Sequence, residues 1–571
     1  MWRLPALGGI ARKRSSLPEN AELPGRWITD WPTSQRFPHY TRANAGEVLA
    51  DPVSPLGWTF AWDGGIVAGY KAGLIRCGAY EDEDFDPANP ESVACFGGYF
   101  YINLSAIRMQ GARNPAASVG VLDAAFFGDH PDVPSYVAHP DDDKPHLVPG
   151  IEAHMAWVLS GRAWPELESD RASAAALRAS RGDLTKLRDV ELVGRARIVQ
   201  ARLGHLFSQH VVSGSSAAIA PGLLGVVAET VNDPALPMTL LSSLGGVDSA
   251  DANYALWDLS RMTPNSEEFR TAWDAFIVEF GSRGPDEWDL RSPTWETHLQ
   301  LARTVLDRVR QQSDEESPRN RFEARAADRD ALVERTRAAL TDRPDVLGLL
   351  EGGLVAGRMM AHRERTKTTI VRVLHEARMA FRELGRRHGH EELVFQLLDG
   401  ELDRYVASPE SFDEVLSQRH ATWKRLFDLE PPFIIANATV LPLNKWPPRT
   451  RAHVSKVTAN ESLTGVAGSP GIARGIARVV LDPGDDRHFA PGYVLVAPNT
   501  DPSWTPLFMS AAAVIVDVGG QISHSVIVSR ELGVPCVVSV TNATHRIPDG
   551  ALVEVDGNRG TVTVLQIGEH E

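Results

Sequence analysis

The sequence predicts a multidomain protein: a mostly α-helical body with a smaller β-containing N-terminal part, followed by a C-terminal α/β domain. The chain has 571 residues, which is too long for one compact core and typical of two to four domains. Apolar residues recur at helical spacing from about 184 to 429, as in Glu364–Arg387,. Near the C-terminus, short apolar runs flank one helical segment, which is typical of an α/β arrangement,.

The N-terminal part combines a polar leader with an aromatic region. Residues 1–26 are polar and basic, and we expect a mobile tail or a docking arm there. From Trp27 to about Asn114 the chain is rich in aromatic residues, glycine and short β-like runs such as Cys95–Leu104,. Six aromatic side chains could line a pocket, although a place in the core is the better prediction. They are Trp58, Trp62, Phe96, Tyr99, Phe100 and Tyr101.

A proline-containing segment separates the two predicted units. Residues 430–462 carry several prolines, including Pro447-Pro448, and few helix signals, which predicts a semi-stiff linker,. The chain is thereby divided into one unit over 27–429 and a C-terminal domain over 463–571. A linker of this kind would let the last domain pivot without collapsing onto its neighbour.

Composition excludes several classes of function. A net charge of −16 with no long basic block argues against nucleic acid as the main partner,. The N-terminus lacks the apolar core of a signal peptide, and no apolar run approaches the roughly 20 residues that span a bilayer. Cys77, Cys95 and Cys536 are odd in number and lack metal-ligand spacing, which predicts reduced thiols and no metal site,. We therefore expect a soluble cytoplasmic protein that does not act at a membrane.

The most informative segment surrounds a histidine near the C-terminus. Ala511–Val518 is short, apolar and β-branched, which predicts a buried strand,. Gly519 and Gly520 then permit a tight turn. Ser523 is the predicted N-cap of a helix over His524–Leu532,. The sequence therefore places His524 in the first turn of a helix that follows a glycine-rich strand end.

This position has chemical consequences. Gly533 is predicted to end the helix, and Cys536–Val540 to return as a second strand,. The free backbone N–H groups and positive end of the helix favour a bound phosphoryl dianion. The same field disfavours imidazolium, which leaves a neutral ring nitrogen of His524 available as a nucleophile. Besides the two glycines, Ser523 and Ser525 are candidate phosphate-binding or turn residues, although a histidine that only caps a turn fits the same pattern.

Four motifs carry a resemblance to a known domain. They are Gly468–Gly475, Thr500–Phe508, the His524 segment and Arg530–Pro535. In this order they resemble the swivelling phosphohistidine domain of the PEP-utilising enzymes, which include pyruvate phosphate dikinase, PEP synthase and rifampin phosphotransferase. The resemblance covers about residues 463–566 and implies that His524 carries a phosphoryl group. Ile522 occupies a place where the dikinases usually have threonine, so we do not expect their form of regulation.

Weaker resemblances extend over about residues 40–430. Asn44–Leu49, Pro52–Leu56 and Arg283-Gly284-Pro285 resemble the substrate-binding domain of rifampin phosphotransferase. The resemblances together give Arg283, Asp501 and Trp504 as candidate substrate-binding residues. Ser282 stands where those proteins usually carry histidine, so the role of that histidine does not transfer to this chain.

A basic pair on a predicted helix also resembles the family. There an arginine and a lysine four residues apart approach the phosphohistidine and the acceptor hydroxyl, which implies catalytic roles for Arg363 and Lys367. At i,i+4 the two cations share one helical face, which costs about 0.2–0.5 kcal/mol unless an anion lies between them. Arginine would grip phosphoryl oxygens as a fork, whereas lysine acts as a point charge. The alternative interpretation is that the two cations belong to a basic helix face exposed to solvent.

The absence of other modules shapes the predicted function. The sequence contains no Gly-x-x-x-x-Gly-Lys-Ser/Thr motif,, and it resembles neither an ATP-grasp module nor the PEP/pyruvate barrel. The arrangement resembles the histidine-bearing subunit of phenylphosphate synthase. This implies a separate ATP-grasp subunit that uses ATP and Mg²⁺ to phosphorylate His524, which then passes the group to a phenol or an alkylphenol such as cresol.

The sequence leaves two alternative functions open and the general base unassigned. The chain also fits a split rifampin-type antibiotic phosphotransferase, or a non-catalytic phosphohistidine carrier protein. The sequence identifies no general base. His154, His205 and His210 are candidates by region only, and an ordinary structural role is the more frequent one for each,.

Overall fold

The computed structural model describes residues 23–567, except 87–90, 115–117, 128–129, 131, 315–316, 450–454, 482–488, 501–503 and 521–522. Nearly all of the predicted tail over 1–26 lies outside these residues, as do Asp501 and Ile522. The described residues form a largely helical body with one small sheet, and a C-terminal α/β domain with a larger sheet.

The helices occur mainly between residues 104 and 426. In chain order they are α1 (Ala45–Val48), α2 (Val67–Arg76), α3 (Leu104–Arg113), α4 (Val119–Phe127), α5 (Val148–Leu159), α6 (Pro165–Ala179), α7 (Asp189–Ala217), α8 (Ile219–Val231), α9 (Leu236–Leu240), α10 (Asp248–Arg261), α11 (Glu267–Phe280), α12 (Leu299–Arg310), α13 (Pro318–Ala339), α14 (Pro344–Arg387), α15 (Leu402–Ala407), α16 (Asp413–Leu426), α17 (Thr505–Ser510), α18 (His524–Leu532) and α19 (Ala543–Arg546). A π-helical segment, Gly57–Ile66, leads directly into α2.

The strands belong to the two sheets. They are β1 (Tyr40–Thr41), β2 (Val93–Phe96), β3 (Tyr99–Asn103), β4 (Ile434–Ile435), β5 (Ser462–Thr464), β6 (Val466–Ser469), β7 (Ile472–Val479), β8 (Val494–Ala497), β9 (Ala513–Val516), β10 (Cys536–Val538), β11 (Leu552–Asp556) and β12 (Thr561–Gln566). The smaller sheet has the order β2-β3-β1-β4, and the larger has the order β5-β12-β11-β7-β8-β9-β10-β6.

The small sheet changes the predicted extent of the linker. Its strand β4 pairs antiparallel with β1 and comes from the segment 430–462 that the sequence predicts to be a linker. Ile435, Leu443 and Trp446 are buried in one cluster with aromatic side chains of β2 and β3. The first part of the segment therefore completes the N-terminal core, and the connection to the C-terminal domain begins later than predicted. The six aromatic side chains considered above are all buried, as expected for core residues.

Helix α14 is the central element of the body. It has 44 residues, which corresponds to about 66 Å at the rise of an α-helix. It packs along α7 and α8. Within the described part of the chain, Asp189–Val231 has the length and apolarity of a membrane span, but half of its most apolar window is buried inside the protein. This burial against α14 is typical of a core helix.

The C-terminal domain confirms the local prediction around His524. Strands β7, β8, β9 and β10 are parallel neighbours, and α18 connects β9 to β10. The Ser523 hydroxyl caps α18 by accepting a hydrogen bond from the backbone N–H of Val526. Gly533 ends the helix in the left-handed conformation, with φ of 67°.

The C-terminal domain is docked on the helical body through α18. Ile527 in α18 packs against Val247 and Ala250 of the body. Arg325 in α13 donates a hydrogen bond from Nη2 to the carbonyl oxygen of Gly533, at 2.9 Å. The helix that begins at His524 therefore faces the body.

A buried cation also lies in this interface. Arg530 donates from Nε to the carbonyl oxygen of Gly468 at 2.8 Å, and its Nη2 lies 2.9 Å from the Met238 sulfur. Its Nη1 has no hydrogen-bond partner among the described residues. Burial lowers the pKa of Arg530 to about 10. The positive charge of this guanidinium is therefore only partly offset by hydrogen-bond acceptors.

The contact at Gly533 predicts that alanine substitutions at two glycines lower the free energy of unfolding by different amounts. A Cβ at Gly533 would lie 2.7 Å from Arg325 Nε, whereas nothing lies within 4 Å of a Cβ at Gly182, which also has positive φ. Both Gly→Ala variants are expected to lose about 1–2 kcal/mol of unfolding free energy, because alanine is strained in the left-handed conformation. Gly533→Ala should lose more, because Arg325 must move. Urea unfolding of both variants measures this, and equal losses would contradict a stabilising contact at Gly533.

Candidate active site

A cleft of about 50 Å³ lies where the C-terminal domain meets the helical body. Its lining comes from both parts of the chain: Asn44, Glu47, Val48, His210, Asp286, Glu287, Trp288, Arg363, Glu364, Lys367, Thr500 and His524. The three residues that the sequence predicts to be catalytic thus line one cleft, although they lie far apart in sequence. They are His524, Arg363 and Lys367.

The parallel strands explain how His524 reaches this cleft. Thr500 follows β8, and His524 follows the neighbouring parallel strand β9. Because the carboxyl ends of parallel strands meet at one edge of a sheet, both residues are brought to the same edge. His524 is 8% exposed. As the first residue of α18, it lies at the positive end of the helix, where an anion is favoured.

The small residues of the turn before α18 make contacts within the turn and with strand β10. The hydroxyls of Ser523 and Ser525 lie 2.8 Å apart, and Ser523 also caps the helix. A Cβ at Gly519 would lie 3.0 Å from Val538 Cβ, so a side chain there would crowd strand β10. Gly520 keeps its backbone N–H directed at the carboxylate of Glu47. The predicted phosphate-binding turn therefore borders the cleft.

Two carboxylates compensate the basic pair on α14. Arg363 donates from Nη1 to Glu364 Oε1 at 2.9 Å. Lys367 Nζ lies 3.2 Å from Glu287 Oε1. Each cation is therefore held by one fixed carboxylate, and the two side chains are largely buried rather than spread over a solvated face.

Arg283 lies behind the cleft instead of lining it. Its Nε is 3.0 Å from Glu287 Oε2, and both side chains are 3% exposed. Arg283, Glu287 and Lys367 therefore form a buried chain of alternating charge. The prediction that Arg283 contacts a substrate directly differs from this placement, because Glu287 stands between Arg283 and the cleft. Sequence reasoning missed Glu287, although it follows the Arg-Gly-Pro motif by two residues.

His210 is the one candidate base from the sequence that lines the cleft. Burial, together with Arg363 and Lys367, lowers the pKa of His210 to about 3, so the imidazole is neutral. Its Nδ1 lies 3.0 Å from Thr366 Oγ1, and this hydroxyl donates to the carbonyl oxygen of Arg363. Nδ1 therefore carries the proton, and Nε2 is left as an acceptor.

Other predicted residues lie elsewhere. Trp504 is 2% exposed and packs in an apolar cluster of the C-terminal domain that Trp257 and Val309 of the body also join, where its large apolar ring is stable. His154 lies 3.0 Å from Ser216 Oγ, and His205 is paired with Asp170 on the surface. None of these three side chains lines the cleft. Asp501 lies outside the described residues.

Glu47 is a further cleft residue to which the sequence assigns no role. Burial raises the pKa of its carboxyl to about 8, against the opposing effects of Arg363, Lys367 and the backbone N–H groups of Gly520 and His524. The sequence offered one indication, since Glu47 belongs to a quoted motif. Its contact with the His524 turn is long-range and could not be read from that motif.

The described residues contain no group of three or more histidine, cysteine or acidic side chains that could hold a metal ion. The cleft carboxylates Glu287 and Glu364 instead face Lys367 and Arg363. The described cleft residues therefore do not form a three-ligand site for Mg²⁺.

The buried charge chain predicts that Arg283→Ala greatly lowers the free energy of unfolding. Removing one partner of a buried ion pair leaves an uncompensated charge and costs about 3–5 kcal/mol. Arg319→Ala is the matched control, because Arg319 pairs with Asp258 at 47% and 48% exposure and should lose at most about 1 kcal/mol. Urea unfolding compares the two. A loss below 1 kcal/mol for Arg283→Ala would contradict the buried chain.

Two family models match parts of the chain. The mobile domain of PEP-utilising enzymes matches residues 489–560, and the fourth domain of rifampicin phosphotransferase matches residues 261–365. The first range contains His524, and the second contains Arg283, Glu287 and Arg363. Both sides of the cleft are therefore represented in the matches.

Several curated proteins are similar to the chain. Rifampicin phosphotransferase of Streptomyces sviceus is 31% identical, over 56% of this chain and 37% of its own length. The prodigiosin synthesizing transferase PigC of Serratia marcescens is 31% identical, over 61% of this chain and 38% of its own. A probable phosphoenolpyruvate synthase of Staphylothermus marinus is 49% identical, over 17% of this chain and 12% of its own. The chain thus spans less than two fifths of each of these relatives.

The chain also shows a weak likeness to one solved structure. The solution structure of enzyme I aligns over 62% of this chain and 79% of its own, with 11% identity and a TM-score of 0.14. The family models, in contrast, match in the order and at the places where the cleft residues lie. Residues 489–560 are therefore similar to the mobile domain of PEP-utilising enzymes, and residues 261–365 are similar to the fourth domain of rifampicin phosphotransferase.

Proposed function

We propose that this chain is a phosphotransferase, in which His524 carries a phosphoryl group to the hydroxyl of a small acceptor bound in the cleft. One observation carries the proposal: His524 on the mobile domain meets Arg363 and Lys367 on α14 in the same cleft. The matches to a PEP-utilising mobile domain and to a rifampicin phosphotransferase domain support a phosphotransferase.

The charges around His524 suit a phosphoryl dianion on its imidazole. The group would lie between the positive end of α18 and the two cations of α14. Arg363 can hold two phosphoryl oxygens as a fork, and Lys367 adds a point charge beside them. These charges stabilise the negative charge that is spread over the phosphoryl oxygens during transfer.

The source of the phosphoryl group lies outside this cleft in our proposal. Two cleft carboxylates, Glu287 and Glu364, are paired with Lys367 and Arg363, and in our proposal His524 is loaded at another site. We infer that a separate ATP-grasp subunit binds ATP and Mg²⁺ and phosphorylates His524. Loading there requires the mobile domain to leave the docked position in which Ile527 packs against Val247.

The acceptor in our proposal is a phenol or an alkylphenol such as cresol. Val48 and Trp288 supply apolar surface to the cleft, which favours an aromatic ring. A phenolic hydroxyl has a pKa near 10 and therefore needs less help from a base than an aliphatic alcohol. An antibiotic acceptor is the second candidate, which the rifampicin phosphotransferase matches favour. Assays of the loaded chain with phenol, cresol and a rifamycin separate the two candidates.

His524→Ala is expected to abolish acceptor phosphorylation, because the chain would lose the nitrogen that carries the phosphoryl group. His545→Ala removes a histidine of the same domain that does not line the cleft, and it should retain activity. Mass spectrometry after incubation with ATP, Mg²⁺ and candidate ATP-grasp subunits locates the acid-labile phosphate. Substantial turnover of His524→Ala would contradict the histidine relay.

Lys367→Ala should separate the two steps of the relay. The variant is expected to be labelled at His524 as fast as the wild type, since loading takes place elsewhere. Transfer to the acceptor should slow by about 10²–10³-fold, the usual effect of removing one group that stabilises transition-state charge. Lys186→Ala, at an exposed lysine, is the control. Impaired labelling with normal transfer would place Lys367 at the other step.

A further inference from the structure

We propose that Glu47 is the general base of the transfer, and that it takes the proton from the acceptor hydroxyl as the oxygen attacks the phosphoryl group. This inference rests on the proposed function and deepens it, because it assigns the one chemical role that remained open. Several groups in the cleft can accept a proton.

Two of the carboxylates already serve the cations. Glu287 is held between Lys367 at 3.2 Å and Arg283 at 3.0 Å. Glu364 accepts a hydrogen bond from Arg363 at 2.9 Å. A proton on either carboxylate would weaken the ion pair that fixes a phosphate-binding cation. Their geometry therefore suits positioning.

The remaining groups are poorly suited for other reasons. His210 has a pKa of about 3, so its Nε2 is a weak base that can orient a hydroxyl without holding its proton. Asp286 accepts a hydrogen bond from the backbone N–H of Ala50 at 3.3 Å, which directs its carboxylate to α1 and its following turn. The Cys536 thiol behind α18 is buried, which raises its pKa to about 12, and it stays neutral.

Glu47 differs from these groups in its geometry. Its carboxylate lies beside the backbone N–H groups of Gly520 and His524, which oppose the rise of its pKa. Its Oε1 is buried and has no hydrogen-bond partner among the described residues. One acceptor oxygen therefore remains available in the cleft, directly beside the helix end at which the phosphoryl group would lie.

The docked state itself builds this arrangement. Asn499 in the mobile domain donates from Nδ2 to the carbonyl oxygen of Gly46 at 3.1 Å, which ties the neighbour of Glu47 to that domain. The base belongs to the body and the phosphoryl carrier to the mobile domain. The two meet only on docking, so a loaded His524 that has swung away has no base beside it to activate water.

The acidity of Glu47 fits the role. Burial raises the pKa of its carboxyl to about 8, despite the opposing effect of Arg363 and Lys367. A general base is most effective when its pKa lies near the working pH. The basic form is the carboxylate, so transfer should accelerate as the pH rises through about 8 and should slow below it.

The step balances in atoms and charge. The acceptor O–H bond breaks, its proton goes to the Glu47 carboxylate, and the acceptor oxygen forms a bond to phosphorus. The P–N bond breaks, and its electron pair returns to the imidazole nitrogen of His524. With the second ring nitrogen protonated, the leaving group is neutral imidazole, and the product is an aryl phosphate dianion beside a neutral Glu47.

The experiment isolates the second transfer from the unidentified partner. Phosphoramidate phosphorylates histidine chemically, and mass spectrometry selects preparations of the full chain labelled at His524. Phenol is then added, and the formation of phenyl phosphate is followed between pH 6.5 and 9. Glu47→Gln keeps the shape of the side chain and should slow transfer by about 10²–10⁴-fold. Asp63→Asn, which removes an exposed carboxylate outside the cleft, should match the wild type.

A second acceptor distinguishes a base from a merely structural residue. 4-Nitrophenol is largely ionised at pH 8 and brings no proton to remove. The defect of Glu47→Gln should therefore be at least tenfold smaller with 4-nitrophenol than with phenol. An equal defect with both acceptors would overturn the role as a base.

The outcomes separate this inference from the function on which it rests. A Glu47→Gln variant that transfers to phenol within threefold of the wild type overturns the base and leaves the phosphotransferase standing. A labelled wild type that transfers to none of the tested hydroxyl compounds overturns both. If Glu47→Gln does not fold, the wild-type pH profile decides, since a rate that stays flat from pH 6.5 to 9 excludes Glu47 as the base.

Discussion

The compensation of two buried cations by fixed carboxylates is the constraint on which the cleft depends. Arg363 and Lys367 share one face of α14, and neither could be buried alone at an acceptable cost. Glu364 and Glu287 hold them at 2.9 and 3.2 Å, and Arg283 supports Glu287 from behind. The cations thereby keep a fixed position without a bound anion. In the proposed transfer, an incoming phosphoryl group meets preorganised charge instead of two flexible side chains.

The cleft is a property of the docked pair of domains. The body supplies the cations, the neutral His210 and the apolar surface, whereas the mobile domain supplies His524 and the helix end. The contacts that hold the two together include the apolar cluster around Ile527, the packing of Trp257 and Val309 of the body against Leu507 and Phe508, and hydrogen bonds such as that of Arg325. Apolar packing and hydrogen bonds together therefore fix His524 opposite the cations of α14.

The sequence predicted the segments whose structure is set locally. Ser523 and Gly533 mark the ends of α18 because capping depends on neighbouring residues, and both ends were confirmed. Strand β4 was missed because two residues carry no periodicity, and their pairing with β1 is distant in sequence. The same reason hid Glu47 and Glu287, which reach the cleft through tertiary packing. Trp504 was misplaced because a motif residue that fills a core resembles one that binds a ligand.

Arg530 has a consequence for the exchange between the two positions. In the docked state this cation gives up its water for a thioether, a weak acceptor, and one of its nitrogens has no partner among the described residues,. Each docking event is therefore opposed by the dehydration of a guanidinium, which separation reverses. Such a contact lowers the net stability of the docked arrangement. In the proposed relay, the interface that assembles the cleft thus also favours its opening, which lets His524 return for another phosphoryl group.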